Sequence, residues 1–414
     1  MTVSELRPGE VYVWTWLPGD TSPVVAGIAR TMDDGRIAFA YAESYRERSN
    51  AISLYAPELP LGAGTIEPID GLTLPGALRD ASPDAWGRNV IHYTHRISDG
   101  DIDELGYLLL SGSNRFGALD FQASPREYVP RADTAALPEL VDAASRLADG
   151  LPIDSAAAAA LEHGTTIGGA RPKVLARDDD GFEWIVKLSA QSDTVFSVVR
   201  AEAACMHLAG SAGIRVPEIR VERIAGRDAL LVRRFDRTGD GGRRHVVSGL
   251  TMVELDENLA RYATYPGILD RFRTLGGSGF IDPGPEVFER IAFNIAIGNS
   301  DDHARNHAAF WDGGALALTP AYDLAPGNRS GEMATQAMAF DHDGVVKVSQ
   351  FAALVGCARV YGLEARDARA RVERIVDAIR TSWDSAVDFA EMSRIDRDHL
   401  WGRQILNPFA FYGF

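Results

Sequence analysis

The residues best suited to do chemistry lie in GNSDDHARN, at 298–306, and in TPAYDL, at 319–324. Asp301 and Asn306 stand five residues apart, and Asp323 follows after one predicted hairpin. Phosphoryl transfer needs a carboxylate that orients the attacking hydroxyl, and oxygen ligands that hold Mg²⁺ against the nucleotide phosphates. The spacing therefore predicts that Asp301 orients the hydroxyl and that Asn306 and Asp323 bind magnesium.

Other interpretations of these two segments stay open at this point. Asp302 adjoins Asp301, so the choice between them depends on the five-residue spacing to Asn306. His303 and Arg305 either brace the loop or contact phosphate. The non-functional alternative for the first segment is a solvated acidic turn after a helix. For Asp323 it is a strand-end aspartate that caps the next segment.

A lysine for the nucleotide phosphates is predicted upstream, at Lys187 in the apolar run WIVKLS. A buried ammonium is costly unless it is paired. Glu202, fifteen residues later in a predicted helix, is placed like the helix glutamate that pairs with the strand lysine in protein kinases. The alternative is a strand-end lysine whose ammonium reaches solvent.

A glycine-containing loop precedes this lysine, in TTIGGARPK at 165–173. Gly168 and Gly169 would allow backbone N–H groups to approach phosphate, and Lys173 lies close by. The pattern is neither a Walker loop nor GxGxxG, so a plain glycine turn before a strand is the alternative. Pro172 also removes one N–H from such a cradle.

Composition narrows the class of protein. The 414 residues carry a formal net charge of -16, which argues against extended contact with a nucleic-acid backbone. Two cysteines form no disulfide framework, no signal peptide or long apolar run is visible, and a cytoplasmic protein without a membrane span is expected. Neither a zinc pattern nor a Gly-x-Ser-x-Gly nucleophile motif is present.

The elements that must position these residues follow from hydrophobic patterning. The runs at 11–17 and 36–45 are rich in aromatic and β-branched residues and predict strands, with DDGR at 33–36 as the turn between them. An alanine-rich helix near 156–160 leads to a hairpin across 174–189. A helix over about 195–209 and two further strands complete this part.

Beyond about residue 240 the pattern is mainly helical. EVFERIAFNIAIG, at 286–298, is a buried helix that leads directly into the opening motif, and HAAFWDGGALALTPAYDL is a strand, a tight turn and a second strand. An amphipathic helix surrounds Trp383, and the aromatic C-terminal residues are expected to pack on the body. The predicted fold is α+β, in three parts: residues 1–125, 126–240 and 241–414.

These motifs together resemble the HipA family of bacterial serine/threonine-kinase toxins, over almost the whole chain. The resemblance is carried, in family order, by ISL at 52–54, LRDASPDAWGR at 78–88, IGGARPK at 167–173, IVKLS at 185–189, EAACMHLA at 202–209, RFDR at 234–237, SDDHARN at 300–306 and TPAYDL at 319–324.

The resemblance implies a two-lobed kinase-like fold, with a β-rich N-terminal lobe and a mainly helical C-terminal lobe, plus an extra β-rich N-terminal subdomain. It implies ATP and Mg²⁺ as cofactors and Asp301 as the catalytic aspartate, with Lys187 and Glu202 as its partners in catalysis. The implied ATP contacts are Gly168, Gly169, Ala170, Arg171, Pro172, Lys173, Lys187, the hinge residues Arg233, Arg234 and Phe235, then His303, Ala304, Arg305, Asn306, Tyr322 and Asp323.

The resemblance also implies partners and a modification. Family members phosphorylate proteins, aminoacyl-tRNA synthetases among them, and so arrest growth. A small helix-turn-helix antitoxin binds them, so that contact with DNA is indirect. The family's autophosphorylated serine aligns with Thr166, next to Thr165, while Arg171 and Pro172 depart from the best-known loop pattern.

Two rival functions remain at this stage. One is a catalytically weak regulatory subunit that binds a repressor, which ATP binding without turnover would favour. The other is a small-molecule or lipid kinase on the same scaffold, because the motifs specify ATP chemistry but not the acceptor.

Overall fold

The computed structural model describes residues 6–131, 135–164, 171–190, 193–328, 331 and 333–414. Its architecture is α+β, with a β-rich N-terminal region and a helical C-terminal region, as predicted. The N-terminal part is built on a five-stranded antiparallel sheet in the order β4-β3-β2-β1-β5. Its strands are β1 Glu10–Thr15, β2 Val24–Thr31, β3 Ile37–Tyr41, β4 Thr65–Ile66 and β5 Leu119–Gln122.

Three strands of this sheet, β2, β4 and β5, were not predicted. The turn at 33–36 joins β2 to β3, rather than joining the run at 11–17 to β3. β2, with the sequence VVAGIART, lacks the aromatic residues on which the prediction depended. Small residues are needed there, because a Cβ on Gly27 would lie 2.2 Å from the Ala40 carbonyl oxygen and 2.6 Å from the Phe39 ring.

Within the described residues, four short helices lie between β3 and β5 along the chain. They are α1 Glu43–Arg46, α2 Gly76–Arg79, α3 Ala85–His95 and α4 Glu104–Leu110. The motif LRDASPDAWGR runs from the end of α2 into α3. Asp84 caps α3 by accepting the Gly87 N–H at 2.9 Å, a typical N-cap interaction that satisfies one otherwise unpaired helix donor.

The middle of the chain forms a second antiparallel sheet, in the order β6-β7-β9-β8. The predicted hairpin and the two later strands are confirmed, as β6 Lys173–Arg177, β7 Glu183–Leu188, β8 Ile219–Ile224 and β9 Arg227–Arg233. Two helices, α5 Leu137–Ala148 and α6 Ser155–Gly164, precede it, and α7 Val198–Ser211 lies between β7 and β8. α7 begins later than the predicted 195 because Ser197 is its N-cap.

The C-terminal part is mainly helical but also contains a small sheet, β10-β11-β12. The strands are β10 His245–Ser248, β11 Ala308–Trp311 and β12 Leu316–Leu318. The helices are α8 Gly249–Met252, α9 Tyr265–Thr274, α10 Gly284–Ile297, α11 Phe351–Gly356, α12 Ala365–Phe389 and α13 Arg394–Leu400. As predicted, α10 is buried on nearly all sides, and the rings of Phe411 and Phe414 pack on Phe351.

Within the ranges given above, the helices include none that is both long enough and apolar enough to cross a bilayer.

Candidate active site

Lys187 lies at the centre of a three-residue charge cluster. Its Nζ donates to Glu202 Oε1 and to Asp323 Oδ1, both at 2.6 Å. The two carboxylates come from α7 and from the segment after β12, so the cluster joins the second sheet to the C-terminal part. Glu202 is nearly buried, with 5% of its side chain exposed, whereas Asp323 is 46% exposed. The structure therefore brings together a lysine, a helix glutamate and an aspartate as the sequence predicted.

Lys187 and the two carboxylates act on one another's charges, and burial raises the pKa of Glu202 against the opposing effect of Lys187. Burial disfavours the ammonium, but Asp323 and Glu202 outweigh it and raise the pKa of Lys187 above its ordinary value. The Lys187 charge in turn lowers the pKa of Asp323. Lys187 is thus protonated and Asp323 ionised at neutral pH. Asp323 also has a φ of +59°, a left-handed conformation that few residues other than glycine adopt.

The loop at 298–306 begins where α10 ends. Gly298 has a φ of +71°, and a Cβ there would lie 2.7 Å from the Gln404 carbonyl oxygen, so glycine is required. Asn299 then braces the loop, because its Oδ1 accepts the Asp301 N–H at 3.2 Å and its Nδ2 donates to Asn294 Oδ1 at 3.0 Å. Asn299 was not among the predicted site residues, although its place between the helix-ending glycine and the acidic pair marks it as a loop brace.

The structure distinguishes the two adjacent aspartates. Asp302 is buried, and its carboxylate accepts from the Tyr265 hydroxyl at 2.7 Å and pairs with His307 Nε2 at 2.9 Å. The Asp301 side chain is exposed, while its main-chain carbonyl accepts the His303 N–H at 2.9 Å. Asp302 therefore has a structural role, and Asp301 is the carboxylate that an incoming hydroxyl can reach.

Asn306 is held in a way that suits an oxygen ligand. Its Nδ2 donates to the Asp301 carbonyl at 3.1 Å, which leaves Oδ1 as the atom for a cation. Among the described residues, no three His, Cys, Asp or Glu side chains gather as a metal site. Magnesium commonly uses one or two protein carboxylates and completes its shell with phosphate and water. The pair Asn306 and Asp323 fits that chemistry.

An aromatic cluster adjoins this loop. The Phe235 ring lies 5.7 Å from Tyr322 and 5.8 Å from Phe310, and Phe116 contributes a further edge contact to Phe235. Tyr322 donates its hydroxyl to the Arg305 carbonyl at 2.6 Å. Phe235 and Tyr322 are both only partly buried, so they offer an apolar surface on which a flat base could stack.

His303 and Arg305 differ in their partners. The buried Nδ1 of His303 has no hydrogen-bond partner in the part of the chain that the structure describes. Unpaired buried nitrogens are uncommon, and a catalytic role or a bound water or ion is among their explanations. The Arg305 guanidinium is paired with Glu257, so it braces the loop, which is one of the two roles that the sequence left open. Ala304 is buried between them.

The two arginines that the resemblance assigns to a hinge make contacts within the protein. Arg233 pairs with Glu218 at 3.0 Å and lies over the Phe182 ring, 3.6 Å from its centroid. The Arg234 guanidinium is buried and donates to Asp236 at 2.7 Å and to the Arg115 carbonyl at 2.6 Å. These interactions give the Arg234 side chain a structural role, so a nucleotide contact at 234 would have to come from its main chain.

The glycine loop is described from Arg171 onwards. Thr166, Gly168, Gly169 and Ala170 lie outside the described residues. Arg171 is described, and its guanidinium pairs with Asp193 at 2.7 Å.

The second half of the loop joins β6 to its neighbour strand. The Pro172 carbonyl accepts the Leu188 N–H at 3.0 Å, which extends the β6–β7 pairing by one residue. Lys173, the first residue of β6, is buried, and its Nζ lies 3.0 Å from Asp84 Oδ2. Asp84 was not among the predicted site residues.

The motif that contains Asp84 contacts both lobes. The Trp86 Nε1–H donates to the Lys173 carbonyl at 3.1 Å. At the other end of the motif, Asp80 accepts from the Ser248 N–H and hydroxyl, both at 2.7 Å. The motif therefore joins the N-terminal part to both the lysine strand and the C-terminal part.

Comparisons with known proteins agree with this architecture. Residues 21–122 match the model of the HipA N-terminal domain, and residues 165–383 match that of the HipA-like C-terminal domain. Two relatives from Sinorhizobium fredii, "Putative kinase Y4dM" and "Putative kinase Y4mE", are 26% and 25% identical. The alignments cover 71% and 70% of this chain, and 72% of each relative.

A solved structure is similar over nearly the full length. It is the Shewanella oneidensis toxin–antitoxin complex of HipA, HipB and operator DNA, with a TM-score of 0.68 and 18% identity. The match covers 97% of this chain and 98% of that one. At this identity the likeness concerns the fold.

Proposed function

This chain belongs to the HipA family, and from that premise we propose that it is an ATP- and Mg²⁺-dependent serine/threonine-protein kinase. The observation that supports this best is the Lys187–Glu202–Asp323 cluster. It adjoins the loop that carries the exposed Asp301, because Asn299 Nδ2 of that loop donates to the Asp323 carbonyl at 3.5 Å. The proposed acceptor is a bacterial protein, an aminoacyl-tRNA synthetase or another translation component, whose modification arrests growth.

In the proposed reaction, Lys187 neutralises charge on the ATP phosphates while Glu202 holds its ammonium in place. The acceptor hydroxyl passes its proton to the Asp301 carboxylate, and its oxygen forms a bond to the γ-phosphorus. The bond from the γ-phosphorus to the bridging oxygen breaks, and ADP leaves. Asp301 suits this role because its backbone is fixed at two points while its side chain remains exposed.

Asn306 Oδ1 and the Asp323 carboxylate are the proposed magnesium ligands. Bound Mg²⁺ would neutralise negative charge on the phosphates. The partly buried rings of Phe235 and Tyr322 are the proposed stacking surface for adenine. His303 Nδ1, which is unpaired within the described ranges, is a proposed hydrogen-bonding group for the nucleotide.

A second part of the proposal concerns partners. The structure similar to this chain is a complex of HipA with HipB and operator DNA. By that likeness we propose a small helix-turn-helix antitoxin as the partner of this chain, with contact to DNA made through the antitoxin. The net charge of -16 fits indirect contact.

The two adjacent aspartates provide a matched test of the kinase assignment. Asp301→Asn should reduce phosphate transfer from labelled ATP to proteins of a bacterial lysate by about 10²–10⁴-fold, as loss of a general base does. Because Asp301 is exposed, the free energy of unfolding should stay within about 0.5 kcal/mol of wild type.

Asp302→Asn is the control, and the opposite pattern is expected for it. It removes the charged acceptor of Tyr265 and His307, so the free energy of unfolding should fall by about 1–3 kcal/mol. Wild-type transfer rates in the Asp301→Asn protein would refute the assignment of Asp301, and ATP binding without any transfer by wild type would favour the regulatory subunit.

A further inference from the structure

We propose that Asp84 is a positioning residue for the nucleotide: the N-terminal part supplies, through this carboxylate, the fixed counter-ion that holds the Lys173 ammonium beside Lys187. The inference rests on the proposed function, because it treats the Lys187 cluster as the phosphate site.

The strand register places two lysines side by side. In the antiparallel pairing of β6 with β7, Lys173 is directly opposite Lys187, so both side chains project from the same face of the sheet. Like charges opposite each other destabilise a sheet. Each ammonium therefore needs its own counter-ion: Lys187 has Glu202 and Asp323, and Lys173 has Asp84 at 3.0 Å.

Asp84 is rigidly held. One carboxylate oxygen accepts the Gly87 N–H at 2.9 Å, and the other contacts Lys173. Trp86, two residues further along α3 and 4% exposed, fixes the Lys173 main chain through its indole N–H. The first turn of α3 thus contacts both the main chain and the ammonium of Lys173, whereas a surface ion pair contacts only the charged group.

The same helix also holds the element on the other side of the glycine loop. Near the C-terminal end of α3, His95 Nε2 lies 2.8 Å from Glu162 Oε1 of α6. Thr94 Oγ1 of α3 donates to the Ala158 carbonyl of α6 at 3.3 Å. α6 precedes the loop and β6 follows it, so α3 fixes the position of both flanking elements.

Loss of the Asp84 charge should weaken nucleotide binding. Burial already lowers the pKa of Lys173, against the opposing effect of Asp84, and the Lys187 charge lowers it further. Without Asp84 the buried ammonium would lose the strongest of the carboxylate charges that compensate it, since Asp323 acts on it more weakly, so it would more readily lose its proton or leave its place. Either change removes positive charge from the region that should face the phosphates.

The test is the dissociation constant of MgATP for the full-length chain, measured by titration calorimetry. Asp84→Asn keeps a good helix N-cap but removes the charge. We expect about a tenfold weaker affinity, the effect of losing one hydrogen bond to a charged group. In transfer assays the change should fall on KM for ATP, with kcat altered less than about threefold.

Asp103→Asn is the matched control. Asp103 caps α4 by accepting the Gly106 N–H at 2.7 Å, as Asp84 caps α3. The same substitution there should leave MgATP affinity unchanged. Lys173→Met provides the second arm, because a residue that acts only through Lys173 should have no further effect once Lys173 is replaced.

The outcomes separate the two proposals. Equal affinities of the Asp84→Asn and Asp103→Asn proteins, or an undiminished Asp84→Asn effect in the Lys173→Met background, would overturn the counter-ion role. If Asp84→Asn does not fold, the double variant with Lys173→Met is expected to fold and to match Lys173→Met in affinity, and weaker binding would overturn the role.

A wild-type protein that binds MgATP but transfers no phosphate would refute only the kinase assignment. One that does not bind MgATP would refute both.

Discussion

Glu202 offers a direct test of the charge cluster at the centre of the site. The substitution Glu202→Gln keeps the size of the side chain and an oxygen that can accept from Lys187, but removes the charge. In wild type the Lys187 ammonium is shared between Glu202 and Asp323 at equal distances of 2.6 Å. In the variant Asp323 would be its single ionised partner in the cluster.

The substitution should lower the free energy of unfolding and raise the Mg²⁺ requirement of the reaction. Glu202 is nearly buried, so loss of its charge-assisted bond should lower the free energy of unfolding by about 1.5–3 kcal/mol. Removal of one partner of a buried ion pair typically costs about 3–5 kcal/mol. The loss expected here is smaller because Lys187 keeps the half-exposed Asp323 as an ionic partner. A tighter hold of Lys187 on Asp323 should also raise the Mg²⁺ concentration needed for half-maximal transfer.

Urea unfolding and a Mg²⁺ titration of phosphate transfer measure the two effects separately. Glu222→Gln is the matched control, because Glu222 is an exposed glutamate on β8 of the same sheet and should change neither quantity. If Glu202→Gln has the unfolding free energy and the Mg²⁺ dependence of wild type, the Lys187–Glu202 contact does not govern the site and this reasoning is wrong.

Two further predictions concern acid stability and self-modification. Burial alone would raise the pKa of Asp236, but Arg234 and Arg237 lower it from the ordinary 3.8 to about 2. The contribution of Asp236 to the free energy of unfolding is therefore complete above about pH 4 and is lost as the pH falls towards 2. Asp236→Asn should be less stable at neutral pH and should lose less stability between pH 5 and pH 2 in urea unfolding; a slope equal to that of wild type would contradict this. Incubation with MgATP should add phosphate at Thr166, which would place about -1.5 to -2 charges beside the loop, and an unmodified 165–166 peptide by mass spectrometry would refute it.

The parts of the site that the sequence predicted are those set by local patterns. A buried helix, a helix-ending glycine and a polar loop identify the place of Asp301 and Asn306. A hairpin returns the chain to its start, and this brought Asp323 back to the site. Lys187 and Glu202 belong to a strand and the next helix, fifteen residues apart, so their meeting also follows from short-range order.

The parts that were missed depend on contacts between distant segments. Asp84 and Lys173 are 89 residues apart, and no periodic pattern relates them. The same holds for Asp80 with Ser248, 168 residues away, and for Arg234 with the Arg115 carbonyl. The signal that points to Asp84 is chemical: Lys173, at the start of a buried strand, needs a counter-ion just as Lys187 does.

These distant contacts connect the N-terminal part to the elements around the proposed ATP site. The sequence predicted it as a subdomain added to a two-lobed kinase, but α3 contacts the strand that carries Lys173 and the helix that precedes the glycine loop. Asp236 likewise accepts the Gly117 N–H at 2.7 Å while it pairs with Arg234, which the sequence predicted as a hinge residue. The N-terminal part cannot move relative to the second sheet without breaking buried charge-assisted bonds, each worth about 1.5–3 kcal/mol. It therefore belongs to the framework of the proposed ATP site. A protein that lacks the residues before α5 should bind nucleotide more weakly, because both Lys173 and Arg234 lose their contacts with the N-terminal part.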